Sequence, residues 1–575
     1  MNDNFPNKFA SDKPFEADTL LLDESELEVK KVTVARRKFS NMTKTVVLIR
    51  PNPDDWTEVD RIRVGTPNSL MAISSVLREA NIPVEILDFS VLNQEEEAEA
   101  INNLTSRDDI LLVGFTLMSV QVKHCLQIAK KIKTNNPNTK IIIGGIHAVL
   151  YPEETCKHEL IDYVCYADGE EMMIDLTEFL YNKKEGYPTH IPALLYKKDG
   201  KIHKNSVGEL PIIDSLPYSP FDLLNIDRYI HRSWHPTDPS HATRYFDILT
   251  GKGCPFRCTF CINALEDFYD REYRGMSAER ILDEIEFLME KYDARHFKFV
   301  DELFFVNRKR LHSFLDGVEE RKLNFTWTAN IRADYFTRNY VSSKMLKRIK
   351  KSGCVFLTMG TESGSQRMLD FMKKDLKIES IIAAATALDE IGITGGFSFM
   401  YGLPSETNED IKATFKLIDK IYKIHPDTYI FGPQIFRPYP GNSLYDLCVE
   451  QGFPEKRELD DWNTSHQRVW GFSKSEDYKW VENPKDLPYL GFYGKLAYFG
   501  VNKGSGPLMS KIQKSLSIIA KWRFENDVFT FPIEYFLFTK IMPYIQLLKW
   551  TSLSCQSGGK TKYHPDSVKY SSETM

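Results

Sequence analysis

At 575 residues the chain exceeds one ordinary domain, and two to four are expected. Hydrophobic residues make up 42% and charged residues 27%, a globular balance, and a formal net charge of −6 leaves no electrostatic footprint for nucleic acid. Nine cysteines, three of them within eight positions, argue against a disulfide framework and for a reducing cytoplasm.

The start carries no basic, apolar leader pattern, and with no uninterrupted run of about 18 apolar residues no spanning helix is expected. Residues 1–43 are polar, with an acidic patch (Asp23, Glu24, Glu26, Glu28) followed by a basic one (Lys30, Lys31, Arg36, Arg37, Lys38), and are expected to form a disordered arm. In 44–180 five short β-rich runs follow: Thr45–Arg50, Val84–Phe89, Ile110–Thr116, Lys140–Ile143 and Tyr163–Ala167. Helical patterns lie between and after them, at Ser69–Ala80, Glu95–Leu104, Gln121–Thr134, Glu153–Glu159 and Glu170–Leu180. In the first of these Ile73, Val76, Leu77 and Ala80 share one face. This alternation predicts a doubly wound parallel sheet of flavodoxin-like order, which binds ligands outside the carboxyl ends of its strands. At those ends stand Arg50-Pro-Asn52-Pro, Thr116-Leu-Met-Ser119, Gly144-Gly145-Ile-His147 and Asp168-Gly169-Glu170-Glu171. Small residues there let backbone approach a bulky ligand, although tight turns need glycine anyway.

Residues 181–240 read as a linker carrying a hairpin around Asp199-Gly200, then an extended connector punctuated by Pro211, Pro217 and Pro220. From 241 to 447 a second alternation begins, with strands at Tyr245–Thr250, His296–Asp301, Phe325–Ile331, Val355–Thr361, Thr394–Tyr401 and Thr428–Ile435. Ser277 is placed to cap the first crossover helix, whose Ile281, Ile285 and Leu288 share a face. Six βα units, without room for eight, predict a partial (β/α)6 barrel with its chemistry at the strand ends. After the first strand comes Cys254-Pro-Phe-Arg-Cys258-Thr-Phe-Cys261, a C-x3-C-x2-C spacing. Three thiolates on one short loop can hold three irons of a cubane and leave the fourth open to a small molecule. Zinc is the other reading; it wants a fourth ligand and usually a second pair, and neither stands nearby. The later strand ends carry Asp301-Glu302, Arg332, Gly360-Thr-Glu362-Ser363-Gly364, Tyr401-Gly402-Leu-Pro-Ser-Glu406-Thr407 and Pro438-Tyr-Pro-Gly441; Glu406 reads as a cap of the helix that follows it.

The cysteine triplet, with Phe260 before its last member, resembles the signature of the radical S-adenosylmethionine (SAM) enzymes, and the strand-end motifs resemble that family's in order and spacing over about 400 residues. The resemblance implies a [4Fe–4S] cluster on Cys254, Cys258 and Cys261 whose open iron chelates SAM. One electron then yields methionine and a 5′-deoxyadenosyl radical, the cofactor carrying the hard chemistry. It also implies SAM contacts from Phe260, whose following backbone reads the adenine edge, from Arg332 to the carboxylate, from Glu362 to amino or ribose groups, and from Ser363 and Gly402. The preceding domain resembles the cobalamin-binding domain of the cobalamin-dependent class, which implies contacts from Asn52, Thr116, Ser119, Gly144, Gly145, His147, Gly169 and Glu170. The D-x-H-x-x-G motif that supplies an axial histidine is absent after Arg50. Cobalamin is therefore expected base-off, with His147 touching a ligand tail or capping Glu153-Glu154.

Residues 448–554 form an aromatic-rich, mainly helical region (Trp462, Trp470, Trp480, Tyr489, Tyr493, Tyr498). Its last stretch, Phe529–Leu548, is interrupted by Pro532, Glu534, Lys540 and Pro543. It is expected to dock onto the barrel mouth, with a membrane surface or a lipid-like substrate as the lesser reading. Residues 555–575 are polar and expected to be disordered, and the single cysteines 125, 156, 165, 354, 448 and 555 read as small hydrophobes. The expected partners are a small-molecule substrate, lipid-like or a biosynthetic intermediate, and an electron donor such as flavodoxin or ferredoxin. The resemblance implies methylation of an unactivated carbon or phosphinate, or else ring formation of the anaerobic magnesium-protoporphyrin ester cyclase kind. A non-catalytic cobalamin or redox sensor would leave the strand-end motifs without purpose.

Overall fold

The structure is a computed structural model and describes residues 37–53, 64–232, 244–262, 273–338, 340–464, 477–499 and 507–537. The first unit is built from β1 (Thr45–Arg50), α1 (Asn68–Glu79), β2 (Val84–Asp88), α2 (Gln94–Ser106), β3 (Ile110–Thr116), α3 (Val122–Asn135), β4 (Lys140–Gly144), α4 (Ile146–Leu150), α5 (Pro152–Lys157), β5 (Tyr163–Cys165), α6 (Glu170–Tyr181), β6 (Leu194–Lys198) and β7 (Lys201–Lys204). The sheet order is β2-β1-β3-β4-β5-β6-β7; the first five strands run parallel and the last two add antiparallel. Near-continuous apolar strands such as TVVLIR and ILLVGFT suit a sheet covered on both faces. Two apolar clusters lie on its opposite sides, one under α2 and α3, the other under α1 and α6.

Two expectations need correction here. The hairpin is no linker: β6 pairs with β5 and completes the sheet. Residues 37–43 are not part of a free arm, because Met42 is buried, Phe39 N donates to Ala80 O at 3.0 Å, and Arg37 pairs with Asp175. Residues 1–36 lie outside the described residues.

The connector after β7 is a packed strap rather than an extended tether. Leu216 enters the first unit's core, while Phe221 and Ile226 enter the second's. Tyr229 OH donates to Asp88 at 2.7 Å, and Arg228 donates to Glu96 at 2.8 Å.

The second unit comprises β8 (His231–Arg232), β9 (Arg244–Ile248), β10 (Gly251–Lys252), β11 (Arg274–Gly275), α7 (Ala278–Tyr292), β12 (His296–Phe299), α8 (Arg308–Glu320), β13 (Thr326–Ile331), α9 (Ser343–Lys351), β14 (Cys354–Glu362), α10 (Gln366–Phe371), α11 (Ile378–Ile391), β15 (Thr394–Tyr401), α12 (Asn408–Ile424), β16 (Tyr429–Ile435) and α13 (Ser443–Glu450). Its sheet runs β16-β15-β14-β13-β12-β9-β8, six parallel strands with the unexpected two-residue β8 antiparallel at one edge. Ser277 accepts from Arg280 N at the start of α7, and Ile281, Ile285 and Leu288 are buried as the periodicity required. Phe299 stacks on Phe304 at 4.2 Å, with Phe314 and Trp327 edge-on, and the Trp327 indole donates to Ser352 O.

The C-terminal helices α14 (Leu487–Phe499), α15 (Pro507–Glu525) and α16 (Ile533–Phe536) share an aromatic cluster with Phe415 of α12 and Tyr401 of β15. Tyr401 OH donates to Leu487 O at 3.2 Å. Residues 459–464 turn back to the first unit, where Trp462 joins its core. Trp470, the end of the aromatic stretch and the 555–575 tail fall outside the described residues. Among the described residues no helix is long and apolar enough to cross a membrane.

Candidate functional site

The three cysteines occupy one small cluster with Phe256, Phe260, Leu303, Val306 and Tyr273; Cys258 is buried, and Cys254 and Cys261 are half-buried. Burial pushes the Cys254 thiol up to about 12, with the other two sulfurs adding to the effect. Among the described residues no three His, Cys, Asp or Glu side chains are grouped for a single metal ion. A cubane accepts its thiolates at separate corners and needs no such convergence.

The loop is braced from two sides. Thr259 N donates to Met372 O at 2.9 Å, and Leu444 N donates to Thr259 O at 3.2 Å. The Phe260 carbonyl accepts from Asn442 Nδ2 at 3.2 Å.

Arg332 is more fully engaged than a free carboxylate clamp would be. Its guanidinium donates to both Asp334 oxygens at 3.0 and 3.1 Å and to the carbonyls of Lys374 and Asp375. It also stacks 3.6 Å from the Phe256 ring centroid. Phe256 lies between Cys254 and Cys258, so Arg332 fixes the loop itself.

Glu362 sits at a bulge with φ +64° and accepts from Lys374 Nζ at 3.2 Å. Burial acts to lower the Lys374 pKa, but Glu362 and the Cys258 sulfur outweigh it and raise it. Ser363 is fully buried against Thr414. Gly402, at φ +82°, is covered: its carbonyl accepts from the Trp480 indole at 2.9 Å, and an added Cβ would meet Leu487 at 3.3 Å.

Glu406 is no helix cap; Thr407 caps α12, and Glu406 accepts from the amides of Gly402 and Leu403. Burial pushes its carboxyl up to about 8 against those bonds. Asp301 is likewise committed, accepting from Thr250 N at 2.6 Å and Oγ1 at 2.7 Å and from Arg310.

At the strand ends of the first sheet lies a cavity of about 260 Å³. Thr116, Gly144, Gly145, Gly169 and Glu170 line it as the strand-end reading required. Asn52, Ser119 and His147 do not. Asn52 is buried beside His124, whose Nδ1 accepts from its backbone N–H at 2.8 Å. Ser119 bonds His147 Nδ1 at 2.9 Å, and the His147 ring is wedged between Tyr151 and Trp462. His147 is fully buried and held down to about 4 by burial, with Lys456 adding to the effect; it does not cap Glu153-Glu154.

Spacing alone missed the rest of the wall, including Ser69, Ile73, Gly114, Met172 and Met173, and above all Lys252 of the second unit. Lys252 Nζ lies 3.1 Å from Asp168 and 3.2 Å from Glu170, and Arg274 pairs with Asp168 at 2.8 Å. Burial would raise the Asp168 pKa, but these two cations outweigh it and lower it.

The model of the radical SAM superfamily matches residues 248–418, and that of the B12 binding domain matches residues 63–177. The chain is a radical SAM enzyme with a B12-binding domain. An uncharacterised methyltransferase of Pyrococcus horikoshii is 29% identical over 387 residues, 67% of this chain and 79% of that one. The anaerobic magnesium-protoporphyrin IX monomethyl ester cyclase of Rubrivivax gelatinosus is 29% identical over 330 residues, 57% of this chain and 56% of the cyclase. The solved structure of the radical SAM methyltransferase TsrM from Kitasatospora setae, with cobalamin and a [4Fe–4S] cluster bound, shares the fold at TM-score 0.59. Its identity is 15%, covering 84% of this chain and all of that one.

The residues present fit the cofactors this radical SAM enzyme uses: a [4Fe–4S] cluster, SAM and cobalamin. Three neighbouring thiols meet the cluster's demand. In the B12-binding domain, Gly145 at φ +86° has no room for a Cβ, which would meet Leu117 N at 2.6 Å. Glu170 Oε2 is buried without a hydrogen-bond partner on the cavity rim. An apolar floor with an unsatisfied acceptor at its edge suits a flat aromatic base bearing polar substituents.

Proposed function

We propose that this chain is a cobalamin-dependent radical SAM methyltransferase acting on an unactivated carbon or phosphinate. In this reading Cys254, Cys258 and Cys261 hold the cluster and the cavity at Gly144-Gly145 and Gly169 receives the tail of a base-off cobalamin. The observation that carries it is the position of Lys252, which lines that cavity and precedes Cys254 by two residues. The two cofactor sites therefore share a wall. When bound, the cluster supplies the electron that splits SAM, and the corrin carries a methyl group. The chain's own residues fix both places: Arg332 and the Met372 carbonyl hold the cysteine loop, and Asp168 and Glu170 hold Lys252. Glu362 and Lys374, a largely buried pair of opposite charges beside the cysteine loop, suit the amino-acid end of SAM. The methyltransferase relative supports this choice of reaction.

Methylation uses SAM twice, so coupled turnover yields 5′-deoxyadenosine and S-adenosylhomocysteine in about equal amounts. Label from methyl-labelled SAM then appears in the product. Ring formation, which the cyclase relative favours, yields deoxyadenosine without stoichiometric S-adenosylhomocysteine and leaves the product unlabelled. That outcome would replace methylation with the cyclase-type reaction.

A further inference from the structure

Among the described residues the C-terminal helices leave one face uncovered. In α15, Leu516, Ala520 and Phe524 turn into the aromatic cluster against α12, which puts Ile518 and Trp522 on the far side. Ile518 is 66% exposed and Trp522 58%, and the segment after the helix adds Phe531 at 85% and Ile533 at 70%. Arg523 ties the second group to the end of α15. Its guanidinium donates to the carbonyls of Val528, Thr530 and Phe531 at 3.0–3.2 Å, pinning the Phe531 turn beside the helix end. Large hydrophobes this close together on a solvent face mark an interaction site.

Charge selects the occupant. The nearby acids are already engaged: Glu525 with Lys416, Asp527 with Lys412, and Glu534 with Arg523. Lys521, next to Trp522 in sequence, is exposed, with its ammonium 5.3 Å from the Tyr498 ring centroid. Along α15 the sequence is one-sided: 507–524 holds four Lys or Arg and no acid, in a chain whose net charge is −6. A second copy would bring cations against cations. We infer that this face of α15 and the Phe531–Ile533 turn rests on an anionic phospholipid surface, apolar side chains in the headgroup boundary and lysines over the phosphates.

The test is co-sedimentation of the full chain with vesicles of phosphatidylcholine alone or with one-third phosphatidylglycerol, read together with Trp fluorescence. The expected result is binding to the anionic vesicles with a blue shift, at least tenfold weaker to phosphatidylcholine alone or at 0.5 M salt. Ile518→Ser/Trp522→Ser/Phe531→Ser should lose about tenfold or more in vesicle binding while keeping its circular dichroism spectrum. Lys521→Glu, a single exposed change, should weaken binding several-fold. No binding to anionic vesicles, or equal binding by both variants, would overturn the inference. A dimer by light scattering that the triple variant dissolves would assign the face to a second copy instead.

Discussion

Lys252 Nζ stands 3.1 Å from the Asp168 carboxylate, an ion pair between the residue leading into the cysteine loop and the last strand-end turn of the B12-binding domain. Asp168 is 6% exposed and also holds Arg274. Asp168→Asn leaves two cations facing Glu170 alone, and breaking such a buried cluster costs on the order of 3–5 kcal/mol. The thermal midpoint should fall and cobalamin retention with it; an unchanged midpoint would show that the network carries no load.

Arg332 should act on the cluster loop before it acts on SAM. A lysine there can neither donate to two Asp334 oxygens and two carbonyls nor stack on Phe256. Arg332→Lys should release iron to a chelator several-fold faster while far-ultraviolet circular dichroism stays constant. Equal release rates would return Arg332 to a role in SAM binding alone.

Replacing Cys254, Cys258 and Cys261 by Ala should leave a soluble protein without cluster iron and without SAM cleavage. Iron at about four per chain in the triple variant would place the cluster elsewhere, and tightly bound zinc in the wild type would restore the zinc reading.

Glu406 gives a pH dependence with a defined sign. Its folded pKa, about 8, lies above the ordinary 4.5, so the folded state holds the proton more tightly than the unfolded one. Its contribution is fully present below about pH 4.5 and is lost as pH rises through 8, at up to about 1.4 kcal/mol per pH unit. Glu406→Gln keeps an acceptor for Gly402 and Leu403 and should flatten stability between pH 6 and 8. A slope identical to wild type would refute this assignment.

His147→Ala should leave the cobalt spectrum of bound cobalamin unchanged, because His147 is absent from the cavity wall. It should still destabilise the fold by about 2–4 kcal/mol through the void left against Tyr151 and Trp462. A changed cobalt spectrum would put this histidine on the metal.

Thr45–Arg50 and Ile110–Thr116 were readable to the residue because buried parallel strands are near-continuous apolar runs. What could not be read was pairing between distant segments. The hairpin at 194–204 carries its own turn signal but nothing that names β5 as its neighbour. Ser363 and Glu362 are adjacent in one motif, yet the bulge turns one inward against Thr414 and leaves the other at Lys374. Lys374, in a Lys-Lys-Asp run, looks like a solvated charge; left-handed Lys373 and Asp375 fold it inside. Lys252 offered only its place two residues before a cysteine.

Open sheets must also avoid zipping to copies of themselves, and the outermost strands here settle how this chain can be divided. β7 is four residues long with an exposed lysine at each end, and β8 has two residues among those described. β2 carries Glu85 paired with Arg107 along its rim, and α14 packs against β16. A fragment of the N-terminal domain ending at residue 198 would strip off β7 and bare β6, whose Leu194, Leu195 and Tyr196 are buried in the whole chain. Such a fragment would present an apolar ladder to its own kind and precipitate, whereas one ending beyond Lys204 keeps its charged hem.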